Sequence, residues 1–117
     1  MGMTVVIGWN QSQPIDKQWT EVEYNSHAIS LILWLISNAL EKKYPNIYWD
    51  ITERISIHLI KFDELNQHDF MTAVMAIRNL IEKEGNSIKE NAEYWNSDIE
   101  PLIIIDDRYD PNFKLDE

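Results

Sequence analysis

Thr4-Val5-Val6-Ile7-Gly8-Trp9 is a short β-branched run closed by the polar stretch Asn10 to Asp16, which contains Pro14. That pattern predicts a strand near residues 4–9 followed by a loop. Thr20 and Glu23 stand at the S/T-x-x-E spacing of a capping box, so a helix is expected from about Glu21 to Lys43, stopped by Tyr44-Pro45. Leu31-Ile32-Leu33-Trp34-Leu35-Ile36 is apolar all round a helical wheel, which marks this helix as centrally buried. From Ile47 to Phe62 two patterns compete. Ile51, Ile55, Leu59 and Phe62 share a helical face, with Asp50 and Glu53 as a second cap, while Ile55-Ser56-Ile57-His58-Leu59 alternates as a strand does. Helix early and a strand near 54–60 is the reading adopted, because an N-terminal strand needs a partner for its backbone groups.

Asn66 caps a helix over 67–84, in which Phe70, Val74, Ile77 and Ile81 recur at 4-3-4 spacing before Gly85-Asn86 ends it. Ser87 and Glu90 repeat the capping-box spacing, and Ile88, Ala92 and Trp95 share a face, predicting a short helix over 88–95. Pro101-Leu102-Ile103-Ile104-Ile105 is wholly apolar between Pro101 and Asp106-Asp107, which predicts a strand over 102–106 covered on both faces. Residues after about Tyr109 are expected to form an irregular tail. The order β-α-(α/β)-α-α-β, without repeats or a low-complexity linker, implies one α+β domain over residues 1–117, mainly helical with a small sheet.

Composition narrows this further. The chain has 117 residues with 44% hydrophobic positions, enough for one core that removes roughly 65% of the unfolded surface from water. No cysteine is present, which excludes disulfides, thiolate metal sites and a thiol nucleophile, and suits a cytoplasmic protein. The apolar stretch Ala28 to Ile36 is too short to cross a membrane, and Met1-Gly2-Met3-Thr4 carries no basic leader region.

The net charge of −10 is unevenly spread: residues 1–60 carry −2 and residues 61–117 carry −8. From Glu93 onward, Glu93, Asp98, Glu100, Asp106, Asp107, Asp110, Asp116 and Glu117 face only Arg108 and Lys114. Such a surface repels nucleic acid, whose binding needs clustered Lys and Arg, and attracts a basic protein.

Candidate chemistry is sparse. Gly2, Gly8 and Gly85 are too far apart for a phosphate loop, and His27, His58 and His68 have no metal-ligand spacing. Ser26, Ser30, Ser37 and Ser56 lack the setting that exposes a nucleophile. Asp63-Glu64 is a conceivable acid–base pair but reads better as the solvated turn before Asn66. Asp106, Asp107 and Asp110 form the best divalent-metal candidate, weakened by Arg108 between them. No cofactor and no catalytic residue is expected. What remains is large aromatics among acids. Tyr94 precedes Asp98 and Glu100, and Tyr109 lies among Asp106, Asp107 and Asp110; these seven residues are the candidate binding set, with Tyr94 and Tyr109 as anchors. Trp95 and Phe113 also have a plain core reading, and Trp9-Asn10 and Tyr48-Trp49 are weaker surface candidates.

The aromatic-apolar helix Ile29 to Leu40 ending at Tyr44-Pro45, and the run Phe62-Asp63-Glu64-Leu65-Asn66-Gln67-His68-Asp69-Phe70 leading into Ala73-Val74-Met75-Ala76-Ile77, carry a resemblance. In organisation and residue character over residues 3–105, the chain resembles the small acidic immunity proteins of bacterial polymorphic toxins, including those of contact-dependent growth inhibition systems. The resemblance implies a non-enzymatic 1:1 inhibitor that blocks the active site of a cognate toxin, typically a nuclease with a basic cleft. Two alternatives stay open: a metal-dependent enzyme built on the carboxylates, and a general acidic adaptor.

Overall fold

A computed structural model describes residues 2–115; Met1, Asp116 and Glu117, with the end of the expected tail, lie outside the described residues. Met3–Trp9 forms β1 and Trp19–Tyr24 forms β2, its antiparallel partner, joined by a loop holding a 3-10 turn at Ile15–Lys17. Leu59–Lys61 (β3) adds to the other edge of β1 in parallel, giving the order β2-β1-β3. Side chains alternate across the pleat. Val5, Ile7, Tyr24 and Ile60 join the core, while Val6 lies in register with Glu21 and Lys61 on the opposite face.

Between Val6 and Gly8 the register with β2 slips by one residue. Without that bulge, strict alternation sends Trp9 to the same side as Val5 and Ile7. With it, Ile7 stays in the core and Trp9 lands opposite Trp19, on the face of Glu21.

The helices cover the inner face of the sheet. Ser26–Leu40 (α1) buries Ala28, Ile29, Ile32, Leu35, Ile36 and Leu40, and packs against Gln67–Glu84 (α3), which buries Phe70, Met71, Ala73, Val74 and Ile77. Pro45–Thr52 (α2) places Ile47 and Ile51 beneath β3. The chain then runs through a 3-10 turn into Lys89–Tyr94 (α4), a π-helical turn at Trp95–Ile99, and Glu100–Ile104 (α5). Among the described residues no helix is long and apolar enough to cross a membrane.

The α+β class is as expected, as are β1 and α3: Asn66 Oδ1 accepts from the Asp69 amide at 2.8 Å, and Gly85 follows with a positive φ of 55°. The ambiguous stretch resolves into helix first and strand last, and β3 pairs with β1, but the strand is shorter and later than 54–60: Ile55–Ile57 is a 3-10 turn and His58 is left-handed, so the alternation over 55–59 is not strand. Three expectations are overturned. The first long helix begins at Ser26, not Glu21. Its cap is Asn25, which accepts from the Ala28 amide at 2.9 Å, and the Thr20 hydroxyl instead serves the sheet, accepting from Gly8 N and donating to Gly8 O. It ends at Leu40 rather than Lys43, and Pro45 opens the next helix at a position where its missing N–H costs nothing. Asp50 and Glu53 start no helix: Asp50 lies in the last turn of α2 and Glu53 is its C-cap residue, its amide donating to Trp49 O.

The second correction concerns residues 102–106, which form helix and turn rather than a strand. Helix α4 continues through the π turn, where the Glu100 amide reaches back to Trp95 O, and Pro101 sits in the first turn of α5, where no donor is needed. Ile103 is buried but Ile104 and Ile105 are exposed, so the run is covered on one side only. Third, Ser87 caps no helix: its hydroxyl turns back to Glu84 O.

Candidate functional site

The seven acidic and aromatic candidates do not form one face. Tyr94 and Asp98 lie together beside β2: the Tyr24 hydroxyl donates to Asp98 Oδ2 at 3.0 Å, and the Tyr24 and Tyr94 rings meet edge to face at 5.8 Å. Burial pushes the Tyr24 hydroxyl well above tyrosine's ordinary pKa, and the bond to Asp98 adds to that shift. Glu90, Glu93, Tyr94, Ser97 and Asp98 border a shallow groove of about 300 Å³, with His27 2.9 Å from Glu90.

Glu100 and Tyr109 are held elsewhere by Arg78. The guanidinium donates to both Glu100 oxygens, at 2.9 and 2.6 Å, and to the Tyr109 hydroxyl at 3.3 Å, while Trp95 Nε1 donates to Glu100 at 2.7 Å. The Glu100 hydrogen bonds raise the Arg78 pKa against the opposing effect of burial. Trp95 is fully buried, so its core reading holds, and Phe113 packs partly buried against the same core.

Asp106 is the largest departure. Its side chain is 1% exposed and forms a bidentate pair with Arg108, at 2.8 and 2.9 Å. Arg108 uses all five guanidinium donors: the remaining three go to the carbonyls of Ile7, Phe62 and Leu65, each at 2.8 Å, and the plane lies 3.9 Å from the Phe70 ring centre. This knot joins β1, the exit of β3 and the start of α3 to the C-terminal segment. It also fixes Gly8, because a Cβ there would overlap the Asp106 carboxylate and come within 2.8 Å of Arg108 Nη2.

Asp107, one residue on, is exposed; it accepts from the Ser12 hydroxyl, which lowers its pKa, and its amide donates to the buried Asn10 side chain at 3.2 Å. Asp110 receives the Asn112 amide, and its own amide approaches Met71 Sδ. The three aspartates thus have separate partners. Among the described residues no group of three His, Asp or Glu side chains is placed to hold a metal ion. Asp63 and Glu64 both pair with Lys61, at 3.6 and 3.7 Å, but only Glu64 is solvated; the Asp63 side chain is 12% exposed, against the expectation of a solvated turn.

The surface the sequence reading ranked low is the more prominent one. Trp9 and Trp19 are 51% and 42% exposed, packed edge to face at 5.9 Å across the hairpin, and Trp19 Nε1 donates to Glu21 at 2.8 Å. Ile15 and Ile105 add exposed apolar area at the same end of the molecule, flanking the loop and α5. The missed signal is the period-two pattern Trp19-Thr20-Glu21-Val22-Glu23-Tyr24, which places the first, third and fifth residues together.

No family model, curated protein or solved structure matches the chain.

Proposed function

We propose that this protein is an immunity protein that binds and neutralises a cognate bacterial toxin domain with a basic surface, acting in the cytoplasm without catalysis or cofactor. One observation carries the reading: large aromatic side chains stand in solvent beside carboxylates that no cation neutralises. Asp16 and Glu21 share a hollow with the exposed Trp19, and Asp98 a groove with the half-buried Tyr94; these three, with the exposed Glu23 and Asp107, have no Lys, Arg or His partner among the described residues. Such a surface steers a cationic partner and offers it anchors of large area and low conformational cost. Two of the acidic candidates, Asp106 and Glu100, are instead paired with arginines of the chain itself.

The binding set is revised accordingly. Tyr94, Asp98 and Asp107 remain as contacts, whereas Asp106, Glu100 and Tyr109 support the fold and Asp110 holds the turn at Asn112. The test is co-expression with the C-terminal region encoded immediately upstream. A 1:1 complex that restores growth and weakens with salt supports the reading; a soluble toxin domain that neither binds nor is neutralised refutes it.

A further inference from the structure

Beside Trp19 the surface dips into a hollow of about 340 Å³ between β2 and α5. Its floor is Leu102 and Ile105, its wall is the Trp19 ring, and Asp16 and Glu21 stand at its rim. This combination matches one kind of side chain. An arginine or lysine has an aliphatic stem suited to the apolar floor and a cationic head suited to an indole face and carboxylates. We propose that this hollow clasps an arginine or lysine side chain of a partner protein, with the Trp19 ring, braced edge to face by Trp9, as its aromatic wall. The inference rests on the binding-protein reading and adds the chemistry of the central contact. Lys17, the only cation among the described lining residues, has no carboxylate partner among them and so opposes an incoming cation.

Lys17 makes the test directional. The full chain, labelled with 5-fluorotryptophan, is titrated with a hexa-arginine peptide and with hexaglutamate, the five resonances being assigned from single Trp→Phe variants. Saturable movement of the Trp9 and Trp19 resonances by hexa-arginine, with Trp49 unmoved, is expected. Glu21→Gln and Asp16→Asn, both exposed positions, should each weaken binding roughly two- to fivefold, and Lys17→Gln should tighten it by a similar factor. Equal movement of Trp49, tighter binding of hexaglutamate, or weaker hexa-arginine binding by Lys17→Gln overturns the clasp. A neutralising toxin complex that leaves Trp9 and Trp19 unmoved also overturns it while the immunity role stands. Hexa-arginine seated at Trp19 by a chain that protects against no toxin supports the clasp and refutes that role.

Discussion

Asp106 and Asp107 are adjacent in the chain, yet one closes a buried knot and the other holds a surface loop. The same division runs along β1, where Ile7 offers its carbonyl to Arg108 inside and Trp9 stands in solvent two residues later. On the inner side every donor of Arg108 has a partner; on the outer side the indoles and carboxylates face solvent and meet no arginine among the described residues. Charge density along a sequence therefore says little about charge on a surface, because what decides it is whether an arginine comes to meet the carboxylate.

The comparison is broken most forcefully at the knot. Arg108→Ala removes the counter-charge of a buried carboxylate and a donor from each of three carbonyls, and Asp106→Ala leaves a buried guanidinium short of its counter-charge. Each should cost about 3–5 kcal/mol in urea unfolding, whereas Asp107→Ala should leave the unfolding midpoint where it is. Gly8→Ala comes next, because the added methyl must displace the Asp106–Arg108 pair; a loss of roughly 1–3 kcal/mol is expected from the same measurement. A double-mutant cycle on Trp9→Ala and Trp19→Ala should give a coupling of only about 0.5–1.5 kcal/mol, since the pair is exposed and contributes little beyond its own contact.

The smallest effect concerns pH. The Ser12 hydroxyl depresses the folded-state pKa of Asp107, so the associated stabilisation is present above the unfolded carboxylate's ordinary value and is lost as pH falls through the folded value. A carboxyl-carbon NMR titration should find Asp107 below a free aspartate reference, and Ser12→Ala should bring it back up without a measurable change in melting temperature.

Much of the fold was legible because several elements announce themselves locally. Asn66, the 4-3-4 spacing from Phe70 to Ile81 and Gly85 leave α3 little alternative. Where two local codes overlapped, the wrong one was easy to choose. Thr20 and Glu23 satisfy a capping box and also sit in an alternating strand, and only the hairpin partner in β1 decides between them. Pro101 to Ile105 is too short for periodicity to separate helix from strand, and a π turn leaves no mark in residue types. The candidate site was read least well. Asp106, Arg108 and Ile7 meet across a separation of about a hundred positions, and no spacing rule reaches that far. Arg108, alone among acids, was the one available hint.

The Arg108 knot has a consequence for how the protein is made. Its partner carbonyls at Ile7, Phe62 and Leu65 all precede it in the chain, by up to 101 residues. During synthesis the sheet and the long helices emerge first, and the residue that ties them together follows all of them. Until then the nascent chain holds a sheet whose inner carbonyls and Gly8 notch await a side chain that does not yet exist. Final locking therefore waits for Arg108, and a chain cut short after Ile105 has every helix and strand described above without the tie that holds them together.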